Sequence, residues 1–173
     1  MKIFPPLSGA VVLLAAAAAA AAPLPDLARA ETMVLESTNA FRRQQSVDPV
    51  ALDPTLESAA REFARFMARS DKYGHEADGR QPADRARRQG YDYCVISENI
   101  AYQYDSGGFE TSRLAESLFE GWKRSAGHRR NMLDADVTQA AVAIARSEKT
   151  GRYYAVQLFA SPRASCAHLR HRG

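Results

Sequence analysis

A glutamate flanked by isoleucines constrains this chain more than any other feature. The stretch Cys94-Val95-Ile96-Ser97-Glu98-Asn99-Ile100-Ala101-Tyr102 is rich in β-branched and aromatic residues and holds neither Gly nor Pro, which reads as a strand. Period-two alternation puts Ile96, Glu98, Ile100 and Tyr102 on one face and Val95, Ser97, Asn99 and Ala101 on the other. The face carrying the isoleucines is expected to be buried. A buried, unpaired carboxylate is costly, so Glu98 requires a cation, a hydrogen-bond donor or a metal beside it.

The segments around this strand read as helices followed by a hairpin. Met33 to Gln45 forms a first helix. Asp53-Pro54 is an N-cap followed by Pro at the first helical position, and Leu56, Ala59, Ala60, Phe63, Ala64, Met67 and Ala68 then recur at helical spacing to about Arg69. Ser70 to Gly79 is a loop containing Gly74-His75. Pro82 opens a short helix that Gly90 closes, with Arg85, Arg87 and Arg88 on its outer side. Beyond the strand, Thr111 or Ser112 caps a helix whose apolar face holds Leu114, Leu118 and Trp122, and Gly127 ends it just before His128. Thr138 to Arg146 and Arg152 to Phe159 alternate as two strands joined by Ser147-Glu148-Lys149-Thr150-Gly151. Helices preceding and surrounding a small antiparallel sheet define an α+β or α-β-α layered domain.

Lys2, the apolar run Ala10 to Ala22 and the small-x-small triplet Ala28-Arg29-Ala30 read as a secretory signal peptide over residues 1–30, cleaved before Glu31. The run is short of the roughly 18 apolar residues of a membrane span; the alternative is an uncleaved N-terminal anchor. Residues 31–162 then form one domain and 163–173 a polar, basic tail. The mature chain carries 21 basic and 19 acidic side chains, a balance that gives no argument for a nucleic-acid partner. The clusters Arg85, Arg87, Arg88, then Lys123, Arg124, then Arg129, Arg130 read as solvated helix faces. In an exported chain Cys94 and Cys166 are expected to form one disulfide, the alternative being two separate thiols.

Of four histidines, His168 and His171 lie in the tail, while His75 and His128 each follow a glycine at a helix edge. Two imidazoles and a carboxylate are a zinc set with an open position, so His75, His128 and Glu98 are candidate metal ligands. They are equally a candidate acid/base cluster in which a charged His satisfies Glu98. Pairing of Glu98 with one of the many arginines is the third possibility.

Several motifs in order resemble the CAP superfamily, which comprises the cysteine-rich secretory, antigen 5 and pathogenesis-related-1 proteins. They are Leu52-Asp53-Pro54-x-Leu56-x-x-x-Ala60, Gly74-His75, Arg85 with Gly90-Tyr91, Ser97-Glu98-Asn99-Ile100-Ala101, Trp122-x-x-Ser125-x-Gly127-His128-x-x-Asn131-Met132-Leu133, and Gly151-x-Tyr153-Tyr154-x-Val156-Gln157-x-Phe159. The resemblance spans Met33 to Phe159 and is to the shorter, bacterial secreted branch. It implies an α-β-α sandwich with a solvent-accessible central cleft. In that family the cleft often holds two His and two Glu that bind divalent cations such as zinc; His75, His128 and Glu98 match three of them. Ser125 stands where many members carry the second glutamate, and a serine hydroxyl is a poor zinc ligand. Asn131 matches the asparagine after the Gly-His pair and is expected to orient the His128 loop by an Asx-type turn or to cap a turn. Trp122 and Tyr91 are expected in the core and the cleft wall.

Function is not fixed by fold. The first expectation is a secreted or periplasmic, non-catalytic binding module whose cleft, lined by His75, Glu98, Ser125, His128 and Asn131, takes a divalent metal, a small apolar ligand or an extracellular protein; the resemblance implies sterol or fatty-acid binding in some members. The alternative is a metal-assisted hydrolase, such as an envelope peptidase, with Glu98 as general base beside His75 and His128. A third is an interaction protein with a vestigial cleft. Ser97 and Ser125 stand near the histidines, but a Ser–His pair requires hydrogen-bond geometry.

Overall fold

The computed structural model describes residues 23–166. The apolar run expected to be a leader and the tail from residue 167, with His168 and His171, lie outside the described residues. Five helices and four strands follow in the order α1 (Leu27–Gln44), β1 (Ala51–Leu52), α2 (Pro54–Ser70), α3 (Pro82–Arg88), β2 (Tyr93–Gln103), α4 (Thr111–Arg124), α5 (Ala126–Met132), β3 (Gln139–Arg146) and β4 (Tyr153–Pro162). The sheet order is β1-β3-β4-β2.

Alternation along the strands generates two cores and hence three layers. Val95 and Ala101 of β2, Val142 and Ile144 of β3, and Ala155 and Phe159 of β4 pack on one side with Val34 and Phe41 of α1 and Leu114, Leu118 and Trp122 of α4. Ile96 and Ile100, Ala141 and Ala143, and Val156 and Leu158 pack on the other side with Leu56, Phe63 and Met67 of α2 and Ala86 of α3. The α-β-α sandwich is therefore written into the strands, and the β2 alternation expected from sequence holds residue by residue. The three long strands are antiparallel. The sheet as a whole is mixed, because β1 adds parallel to β3 through Ala51 and Leu52, a two-residue pairing too short to leave a sequence signature.

Local chemistry explains the boundaries. Asp53 caps α2 by accepting from the backbone N–H groups of Thr55 and Leu56 at 2.8 and 2.9 Å, with Pro54 at the first turn. Helix α1 starts earlier than expected because Asp26 accepts from Arg29 N at 3.0 Å, and Ala30 is fully buried in its first turn. Cleavage before Glu31 would remove that capped turn.

Three expectations need correction. Helix α4 follows Glu110 with no side-chain cap; the Thr111 hydroxyl instead accepts from Asp26 N, tethering α4 to α1. Gly127 lies inside α5 rather than ending α4. Arg85 is not on an outer face: only 5 % of its surface is exposed, for the reason given next.

Candidate functional site

Strand β2 is an edge strand, and the candidate residues gather along it from both helical layers. Glu98 faces the α2/α3 layer with its side chain 1 % exposed. Its Oε2 accepts from the Arg85 guanidinium at 2.7 Å and its Oε1 from His75 Nδ1 at 2.9 Å. Arg85 reaches inward from α3, where it also donates to Asp78 Oδ1 at 2.9 Å and to the carbonyls of Arg80 and His75 at 2.7 and 2.9 Å. Its guanidinium lies 3.5 Å from the centre of the Phe63 ring, a cation–π contact that is strong when water is excluded. The demand set by a carboxylate between two isoleucines is thus met mainly by an arginine, with a histidine at the rim. Gly74 adopts φ +144° immediately before His75, a conformation that L side chains rarely take.

His75 is half exposed. Its hydrogen bond to Glu98 holds its pKa above the ordinary imidazole value, partly offset by burial and by the Arg85 charge. His128 is shifted the other way, by burial first and then by the positive charge of His75. The two rings therefore feel one another, but they approach β2 from different layers. His128 is attached through its backbone carbonyl, which accepts from Asn99 Nδ2 at 3.2 Å, on the face of β2 opposite to Glu98.

That opposite face carries a second buried network. Asn99 Nδ2 also donates to Gln157 Oε1 at 3.0 Å, and Gln157 Nε2 donates to the Thr38 hydroxyl at 2.9 Å. Asn131 Nδ2 donates to Asn99 Oδ1 at 2.8 Å and to Glu98 O at 3.3 Å. Asn131 therefore neither caps a turn nor forms an Asx turn: it fastens α5 to the edge of the sheet. Ser125 joins α4 to α5 and makes no side-chain cap bond. Ser97 Oγ is buried with no hydrogen-bond partner among the described residues, so no base activates it. Trp122 is 1 % exposed and its indole N–H donates to Ile100 O at 3.2 Å; Tyr91 is 6 % exposed and its hydroxyl bonds Gln139.

Sequence reasoning thus missed Arg85, Asp78, Phe63, Gln157 and Thr38 as parts of the site. Cys94 and Cys166 are paired, with Cα atoms 6.3 Å apart. The bond ties β2 to the turn after β4.

A zinc ion does not fit the donor set in this arrangement. Both oxygens of Glu98 are committed, one of them to a guanidinium, and a serine occupies the position where a second carboxylate would stand. Among the described residues, no group of three His, Cys, Asp or Glu is placed to hold a metal.

The fold and the motifs define a family. Residues 35–159 match the model of the cysteine-rich secretory protein family, CAP, and the chain belongs to that family. Among individual relatives, it is 30 % identical over 118 residues to the uncharacterized protein YkwD of Bacillus subtilis, covering 68 % of this chain and 43 % of that protein. The chain therefore spans less than half the length of that relative. Two solved structures share the fold. An extracellular protein containing a SCP domain from Bacillus anthracis aligns with a TM-score of 0.65 at 21 % identity, over 78 % of this chain and 41 % of the other. An outer surface protein of Borrelia burgdorferi aligns with a TM-score of 0.68 at 16 % identity, over 78 % of this chain and 93 % of the other.

Proposed function

We propose that this chain is an exported, non-catalytic CAP binding module whose cleft along β2, between His75 and His128, takes a small ligand or an extracellular partner. One observation carries the reading: both carboxylate oxygens of Glu98 are already used, by Arg85 and His75. A general base must be within reach of the substrate proton, and a carboxylate whose side chain is 1 % exposed in an ion pair is not. The unpartnered Ser97 hydroxyl argues the same way, because a serine nucleophile needs an adjacent base. Export is supported by the extracellular and outer-surface character of the structural neighbours named above. No described helix is long and apolar enough to cross a membrane.

The test is turnover. Wild-type protein and Glu98→Gln are incubated with a peptide library, with and without added zinc, and products are read by mass spectrometry. The binding reading expects no hydrolysis by either protein. Hydrolysis by the wild type that disappears in Glu98→Gln would replace it with the hydrolase.

A further inference from the structure

The edge of the sheet opposite β2 is closed by a charged side chain. Strand β1 stops after two residues because Asp53 turns the chain into α2, so it pairs only with Gln139 and Ala140 of β3. The last bond of that pairing runs from Asp53 N to Ala140 O at 3.1 Å. The backbone groups of Val142 and Ile144, two and four residues further on, face the same edge. No strand lies beside them there among the described residues. Glu31 of α1 stands in its place. Its Oε1 accepts from Ile144 N–H at 2.7 Å, the bond that a neighbouring strand's carbonyl would make. Arg61 of α2 holds the carboxylate from the other side, donating through Nη1 to Oε1 at 3.0 Å and through Nη2 to Oε2 at 2.7 Å. Arg61 Nη2 is anchored in turn on Glu57 at 2.7 Å, and the Glu31 side chain is only 8 % exposed. A groove of about 220 Å³ runs beside the pair, with Ala28, Leu35, Leu52 and Val142 among its walls. Leu52 is 55 % exposed, so the approach to the edge is apolar and open to solvent.

We infer that the Glu31–Arg61 pair is a guard on the β3 edge, which in its closed form keeps the sheet from growing by strand addition from a second copy of this chain. An open edge with apolar flanks is a template for such pairing. A side-chain carboxylate takes one amide and offers no donor in return, so it satisfies Ile144 and ends the ladder. An incoming strand would have to expel that carboxylate and leave the Arg61 guanidinium without its main partner, which is strongly unfavourable at a largely buried site. The two edges of the sheet are thus blocked by opposite means. On β2, donors from Tyr73, Trp122 and Asn131 occupy the carbonyls; on β3, an acceptor occupies the amide. The guard works whatever the cleft binds.

Hydrogen exchange read residue by residue, together with light scattering over a range of concentrations, tests the guard in the full chain. The wild type is expected to be monomeric, with the Ile144 amide protected. Glu31→Ala should speed exchange at Ile144 by about tenfold or more. Ala143 and Ala145, which face β4 through Val156 and Tyr154, should keep their rates. The same variant should associate as its concentration rises. Glu31→Gln retains an acceptor oxygen and should keep Ile144 protected, and Glu57→Ala, which leaves the Glu31–Arg61 contact in place, should change neither readout. If circular dichroism shows that Glu31→Ala does not fold, Arg61→Met removes the anchor instead and should show the same two changes. Unchanged exchange at Ile144 in the folded variant, or a variant that stays monomeric at every concentration, would overturn the assignment. So would self-association of the wild type to the same extent.

Discussion

Glu98 and Arg85 form the kind of pair in which each member is costly without the other. With side chains 1 % and 4 % exposed, removing one strands a buried charge, typically costing about 3–5 kcal/mol. Arg85→Ala is accordingly expected to lower unfolding free energy by about that amount, measured by urea denaturation, whereas loss of the exposed Arg87–Asp84 pair should change little. The histidines make opposite contributions to pH dependence. His75 has its pKa raised, chiefly by the bond to Glu98, so its stabilising contribution is complete below the ordinary imidazole range and is lost as pH rises through its folded value. His128 has its pKa lowered, chiefly by burial, so the unfolded chain takes the proton first and stability falls as pH drops below that range. Because the two slopes oppose, proton NMR of each ring is the informative measurement. It should give His75 above and His128 below the usual value near 6.5, and Glu98→Gln should bring His75 down.

Strand β2 is the element that organises the site, and most of it was legible in its own residues. Alternation placed Glu98 and Asn99 on opposite faces, Asp53-Pro54 fixed the start of α2, and Gly151, with φ +70°, fitted the β3–β4 hairpin. Arg85 was illegible for a physical reason: a seven-residue helix has too few turns to reveal which face is apolar, and three arginines in four positions look solvated. Likewise β1 pairs over only two residues, and Ser125 alone separates α4 from α5, leaving no linker to read. The same strand solves an edge problem. An open edge invites pairing with other chains, and here side chains of Tyr73, Trp122 and Asn131 occupy its carbonyls. The Cys94–Cys166 bond closes a loop with a sequence separation of 72. In the chain-entropy model such a loop stabilises by roughly 4 kcal/mol, and Cys94→Ser with Cys166→Ser is expected to lose a comparable amount by denaturant titration.

At the scale of the whole molecule, two helical layers grip one edge strand from opposite sides, through Arg85 and His75 on one face and Asn131 on the other. The proposed cleft runs along that strand, but this chain has used its central carboxylate to hold the layers together. Purified protein dialysed against micromolar zinc is therefore expected to retain well under one equivalent by elemental analysis; one equivalent held through His75 and His128 would contradict the donor-set argument. The claim on which everything else depends is that Glu98 is committed to Arg85 rather than available to a substrate. A double-mutant cycle of Arg85→Met and Glu98→Gln, read from global urea unfolding, measures that commitment directly. The account predicts a coupling of about 2–3 kcal/mol between the two substitutions. Additive effects, with a coupling of less than about 0.5 kcal/mol, would contradict it.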